Sequence, residues 1–138
     1  MAYNINYFDG IICPIIDAKN DNVYFSSFEI KNEHYNLINN YTAESIFYLI
    51  DTFSNSPKNI LFVGDGVDVY KDKLLEALNK RCFFAPVHLN SLKSSSIAKA
   101  AWDKLINKEL DDNNLSPLYL RKSQAERMLD LNESNKNS

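Results

Sequence analysis

The stretch KNILFVGDGVDVYKDKLLEAL, from Lys58 to Leu78, reads as a strand, a glycine turn and a helix in direct succession. The continuous apolar run Ile60–Val63 predicts a strand that is covered on both faces. Apolar residues then recur at helical spacing, which predicts an amphipathic helix whose buried side carries Tyr70, Leu74, Ala77 and Leu78. This unit predicts the centre of an α/β sheet.

The turn inside this stretch has the pattern Gly-x-Gly, which makes Gly64 and Gly66 weak candidates for binding a phosphate-bearing cofactor at a helix start. A dinucleotide fingerprint would need a third glycine where Val69 stands, and a phosphate loop would need a lysine followed by serine or threonine. Asp65 and Asp68 place negative charges where an anion would bind. We therefore favour glycines that only let the chain turn sharply, and predict no cofactor.

The length of 138 residues and the composition are those of an ordinary single domain. The formal net charge of −3 argues against a broad nucleic-acid-binding face. The isolated His34 and His88 give no metal or catalytic spacing, so we predict neither a metal nor catalytic residues. Cys13 and Cys82 lie in apolar runs and are predicted to be buried, reduced thiols. With no signal peptide or membrane span expected, we predict a cytoplasmic protein.

Before the central stretch, the pattern predicts three strands and a helix. Ile11–Ala18 and Val23–Ile30 flank a polar turn and are expected to pair as a hairpin, with Pro14 placed where its missing amide does no harm. A short third strand is expected around Tyr35–Ile38. Thr42 is predicted to cap the first helix, whose apolar positions are Ile46, Leu49, Ile50 and Phe53.

After the central stretch, Cys82–Ala85 predicts another buried strand, parallel to the preceding one. Ser94 to Ser96 are expected to cap a helix that runs to about Lys108, with Trp102 as the largest anchor of its apolar stripe. The order therefore predicts a mixed sheet of about five strands, a meander then parallel strands, with about three helices. This is one half of an actin-like (ASKHA), ribonuclease-H-like fold.

Three blocks together resemble the TsaB family, also called YeaZ or glycoprotease-like, of bacterial tRNA threonylcarbamoyladenosine biosynthesis. They are PIIDAKNDNVYFSSFEI (Pro14–Ile30), VGDGVDVYKDKL (Val63–Leu74) and SPLYLRKSQAER (Ser116–Arg127). The likeness covers only the second subdomain, because the family's "AIDTS" strand and "GPGSFTG" loop do not occur in this sequence. We assign residues 1–131 to that subdomain, expect residues 132–138 to be a disordered tail, and expect a shortened or split protein.

The resemblance implies a noncatalytic accessory subunit that supports a TsaD-like catalytic subunit together with a TsaE-like ATPase, and that meets tRNA indirectly. Arg121, Lys122 and Arg127 form the cationic cluster that would contact RNA or a partner, unless it is a solvated tail. Lys19 stands where the family often has arginine, and Asp17 is predicted to cap the turn that follows it.

Two alternatives remain open. One is the nucleotide-binding half of an actin-like enzyme, including a glycoprotease-like peptidase. The other is a self-associating interaction module, such as a homodimer, which would use an uncovered sheet or apolar helix face.

Overall fold

A mixed β-sheet organises the chain in the computed structural model, which describes residues 1–107 and 118–120. Within these residues its strands are β1 (Ile11–Asp17), β2 (Asn22–Lys31), β3 (His34–Ser45), β4 (Ile60–Val63) and β5 (Cys82–Phe84). They lie in the order β3-β2-β1-β4-β5. β1 pairs antiparallel with β2, and β2 with β3, whereas β1 with β4 and β4 with β5 are parallel. The predicted mixed sheet, meander first and parallel strands second, is confirmed.

Three α-helices accompany the sheet in the described part of the chain: α1 (Ile46–Ser54), α2 (Gly66–Leu78) and α3 (Ser94–Ile106). The predicted apolar face of α1 is confirmed, and α1 and α2 together cover one face of the sheet in the main core. In α2, Tyr70, Leu74 and Leu78 are buried as predicted. Ala77, predicted for that face, is exposed instead, and Val67 is buried in the first turn.

Pro14 lies in the middle of the central strand. β1 pairs with β2 at Ile12 and Ile15, but no partner is assigned to Cys13 or Pro14 between them. The pairing resumes in the same register beyond this gap. On its other side Pro14 keeps its parallel register with Val63. The missing proline amide is therefore accommodated by a local interruption of one ladder, even though the strand is not at the sheet edge.

The boundary between β3 and α1 differs from the prediction. β3 is far longer than the expected Tyr35–Ile38, and Thr42 lies within it, paired with Phe25. The helix cap is Ser45, whose Oγ accepts a hydrogen bond of 3.1 Å from the amide of Tyr48. The prediction of Thr42 as the cap was wrong because cross-strand pairing to β2 satisfies the backbone beyond it.

The orientation of α3 also differs from the prediction. Its buried residues are Ser96 and Asp103, whereas Trp102 is 59% exposed and anchors nothing in the core. The Oγ of Ser96 lies 2.5 Å from Asn4 Oδ1, within the short 3₁₀ helix Ala2–Asn4 against which α3 packs. The helix is preceded by Lys93 and none of its serines caps it. Polar contacts to the chain start therefore turn the predicted apolar stripe outward.

Several predictions fall outside the described residues. They are the cationic cluster Arg121, Lys122 and Arg127, the family-like block Ser116–Arg127 apart from residues 118–120, the predicted helix end at Lys108, and the tail 132–138. Among the residues that the structure does describe, no helix combines the length and the apolar character needed to cross a bilayer.

Candidate functional site at the carboxyl edge of the sheet

The candidate site lies at the edge of the sheet where the parallel strands β1 and β4 end. Asp17 is the last residue of β1, and Val63 is the last residue of β4. The turn Gly64–Gly66 follows β4 directly and leads into α2, while the turn 19–21 joins β1 to β2. In open α/β sheets this edge is where ligands usually bind. Whether it can bind one depends on which of its hydrogen-bonding groups already have partners within the fold.

Gly64 is held against the end of β1 by a very close backbone approach. A Cβ atom at this residue would lie 2.2 Å from the carbonyl oxygen of Ile15, and its φ of +123° is rarely adopted by other residues. Its amide donates a hydrogen bond of 3.1 Å to Oδ1 of the buried Asn90. Gly64 is therefore required by packing, and its amide already has an acceptor within the fold.

Gly66 is less constrained than Gly64. A Cβ atom there would lie 3.2 Å from atoms of Ile15, a tight contact rather than an overlap with the backbone. Asp65, between the two glycines, accepts a hydrogen bond of 3.3 Å from the amide of Asp17 through its Oδ1. The turn thus places a carboxylate against the end of β1, and this charge disfavours a phosphate at the same place.

Asp17 organises the neighbouring turn, as predicted. Its Oδ1 accepts hydrogen bonds from the Lys19 amide at 2.9 Å and from the Tyr70 hydroxyl at 3.1 Å, and its Oδ2 accepts from Lys19 Nζ at 2.6 Å. The Lys19 ammonium and amide hydrogen bonds lower the pKa of Asp17. Burial, followed by the bond to Asp17, raises the pKa of Tyr70 to about 12. Three donors thus hold the Asp17 carboxylate, which favours its ionised form and a structural role.

The turn after β1 is a left-handed one that the sequence did not predict. Lys19, Asn20 and Asp21 have φ values of 63°, 52° and 55°. Asparagine and aspartate tolerate this region better than lysine does, so Lys19 is the residue type least suited to this conformation. Asn22 Nδ2 stabilises the turn through the carbonyls of Lys19 and Asn20, at 3.2 Å and 2.7 Å. An ion pair between Lys73 Nζ of α2 and Asp21 Oδ1, at 2.6 Å, connects the turn to that helix.

Among the described residues, the candidate edge included, histidine, cysteine and acidic side chains form no group of three or more that could hold a metal ion. His34 and His88 are both exposed, on β3 and in the 3₁₀ helix Val87–Leu89. Cys13 and Cys82 are free and buried, as predicted. Burial raises the pKa of both thiols, that of Cys82 to about 11, which disfavours the reactive thiolate.

Sequence reasoning identified the two glycines and Asp17 but missed Asn90. This residue lies in an irregular segment after β5, and nothing in its local sequence indicates that its amide oxygen accepts from Gly64. The left-handed turn had a partial signal, since Asn20 and Asp21 are the residue types that enter this conformation.

Comparison with known proteins gives a specific match. Over 129 residues the chain is 26% identical to the tRNA threonylcarbamoyladenosine biosynthesis protein TsaB of Bacillus subtilis. The chain is similar to TsaB. The matched region covers 91% of this chain but only 54% of the Bacillus subtilis protein, so the chain spans about half the length of that relative. The predicted resemblance is thereby confirmed, and the partial coverage is consistent with one subdomain of TsaB. No protein-family model matches the chain.

Proposed function

We propose that this protein is a noncatalytic accessory subunit in the biosynthesis of tRNA threonylcarbamoyladenosine. It would support a TsaD-like catalytic subunit and a TsaE-like ATPase in the cytoplasm and meet tRNA through that complex. The observation that carries the proposal is the similarity to TsaB over 91% of the chain. Because the chain spans about half of that relative, direct binding to a TsaD-like protein is the decisive test of the proposal.

The carboxyl edge of the sheet supports a structural role for the candidate site. A phosphate-binding turn presents free backbone amides to its ligand. Here the amide of Gly64 donates to Asn90, and the carboxylate of Asp65 is held beside Asp17. Asp17 itself accepts three hydrogen bonds from Lys19 and Tyr70. These groups hold β1, β4 and α2 together, which is a structural role.

The overall charge supports an indirect encounter with tRNA. Affinity for nucleic acid depends strongly on lysine and arginine contacts to phosphates. The chain has a formal net charge of −3, and its lysines at the candidate edge, Lys19 and Lys73, are ion-paired with Asp17 and Asp21. We therefore propose that the catalytic partner supplies most of the tRNA contact.

Co-purification tests the proposal. The full chain, carrying an affinity tag, is expressed with the TsaD-like protein of the same organism and eluted through a size-exclusion column. We expect the two chains to elute together at a volume smaller than that of either alone. Separate elution of two well-folded proteins would count against the accessory role.

An ATP titration separates this proposal from a nucleotide-binding half of an actin-like enzyme. We expect calorimetry to show no saturable binding of ATP with Mg²⁺ at micromolar concentrations. Saturable binding that Gly66→Val abolishes, with the variant's far-UV circular dichroism unchanged, would support the nucleotide-binding alternative instead. Gly66→Ala is the matched control, since it adds only the first carbon of the side chain.

A further inference from the structure

A broad groove opens between α3 and the face of the sheet that α1 and α2 leave uncovered. Its volume is about 1300 Å³, and it is lined by residues of the 3₁₀ helix at the chain start, by β1, β2 and β3, by α3, and by residues 118–120. Pockets for small ligands typically measure about 300–1000 Å³. The size of the groove therefore favours a polypeptide segment over a small molecule.

The floor of the groove is apolar and exposed to solvent. Ile16 of β1 is 38% exposed, and Leu37 and Tyr41 of β3 are 43% and 54% exposed. Ile97 of α3 forms part of the opposite wall and is also exposed. Contiguous apolar surfaces of this kind mark interaction sites more often than isolated exposed side chains do. The floor is a sheet face, so its occupant packs side chains on it and adds no strand.

The ionisable groups of the groove leave an excess of positive charge. Lys31 and Lys104 line it, and Lys104 has no ion-pair partner among the described residues. The lining carboxylate of Asp103 is already neutralised by Lys99 at 2.5 Å. Lys31 contacts Glu29, but that carboxylate is shared with Lys58. An occupant with carboxylates beside its apolar face would complement this rim.

We propose that this groove binds an amphipathic helix of a partner protein, with the helix's apolar face on β1–β3 and its acidic side chains near Lys31 and Lys104. A helix suits the site because it satisfies its own backbone groups and offers one apolar stripe. The inference does not depend on the proposed role in tRNA modification, since it rests on the shape and charge of the groove alone.

Binding of two fluorescein-labelled model peptides to the full chain tests the inference. Both peptides carry the same leucine stripe at helical spacing, one flanked by glutamates and the other by lysines. We expect fluorescence anisotropy to show saturable binding of the glutamate peptide, about tenfold or more tighter than that of the lysine peptide. Absence of binding, or equal binding of both peptides, would overturn the proposal.

Three variants locate the binding site. Leu37→Glu puts a charge on the groove floor and is expected to weaken binding of the glutamate peptide about tenfold or more. Lys104→Glu is expected to remove most of the preference between the peptides. Val69→Glu is the matched control, because Val69 is an exposed apolar residue of α2 outside the groove, and it should bind as the unmodified protein does. Equal affinities for all three variants would contradict the assignment.

Two further outcomes would replace the partner helix by another occupant. Sedimentation that shows a dimer broken by Leu37→Glu would assign the groove to a second copy of this chain. A Leu37→Cys thiol that reacts with maleimide far more slowly than a Val69→Cys thiol would show that the chain covers its own groove. The native Cys13 and Cys82 are buried and do not compete for the reagent.

Discussion

Replacing Gly64 by alanine tests whether the central turn is held by packing. The new Cβ atom would lie 2.2 Å from the carbonyl oxygen of Ile15, so either the turn or the central strand must move. The backbone conformation at φ +123° adds strain of about 1–3 kcal/mol for a residue with a side chain. Relief of the overlap costs a similar amount, about 1–3 kcal/mol. Together these effects predict a loss of about 4 kcal/mol in the free energy of unfolding.

Gly66→Ala is the matched control for that variant. Its Cβ atom would meet Ile15 at 3.2 Å, and Gly66 is the first residue of α2, where the gain in helix propensity from alanine is at most the roughly 1 kcal/mol of a helix interior. We expect a change within about 1 kcal/mol, because the tight contact offsets the gain in helix propensity.

Urea unfolding followed by far-UV circular dichroism measures both variants. With a slope of roughly 2 kcal/mol per molar, the Gly64 variant should lose about 2 M in its midpoint, and the Gly66 variant less than about 0.5 M. A loss of about 4 kcal/mol is a large part of the stability of a typical domain. Equal midpoints for the two variants would refute the argument that packing against β1 fixes Gly64.

Three other predictions follow from single contacts in the fold. Arg81→Ala removes guanidinium hydrogen bonds to carbonyl groups at and just beyond the end of α1, so the free energy of unfolding in thermal or urea titration should fall by about 2 kcal/mol. Arg81→Lys should restore only part of that loss. Hydrogen bonds from Lys58 and Lys31 lower the pKa of Glu29 below its ordinary value of 4.5, so these contacts stabilise the fold above that pH and are lost as pH falls through the folded-state pKa. The stability deficit of Glu29→Gln should therefore shrink below pH 4.5, and a deficit that stays constant would exclude the ion pairs. Cys13 and Cys82 should react with Ellman's reagent only after unfolding, because burial raises the pKa of both thiols; fast reaction in the native protein would contradict their burial.

Local sequence patterns predicted the elements around the centre of the chain well. The apolar run of β4, the helical spacing of α2 and the polar turn before β2 each act over a few residues. Their order, with short connections, then leaves few possible topologies, and the predicted mixed sheet is confirmed. The physical reason is that local preference and burial agree in these segments.

The errors come from contacts between residues that are distant in sequence. Thr42 carries a good capping signal, but its pairing with Phe25 keeps it in β3. The apolar stripe of α3 has clear helical spacing, but the spacing alone does not determine which face of the helix packs against the rest of the fold. Ser96 decides that through its contact with Asn4, more than 90 residues earlier in the chain.

The candidate site was predictable only in part. The sequence indicated the sharp turn at Gly64 and the role of Asp17 in the next turn, because both depend on neighbouring residues. It gave no sign of the Asn90 amide oxygen that accepts from Gly64, or of Tyr70 as a donor to Asp17, since these partners come from other elements. The absence of a cofactor at Gly64 and Gly66 stays a prediction, which the ATP titration tests.

Quantification of threonylcarbamoyladenosine in cellular tRNA tests the central claim most directly. Nucleosides from the tRNA of a strain lacking this gene, and from the same strain with the gene restored, are compared by liquid chromatography and mass spectrometry. The account predicts that deletion lowers the modified nucleoside severely and that the restored gene returns it to the parental level. Unchanged threonylcarbamoyladenosine in the deletion strain would contradict the proposed function.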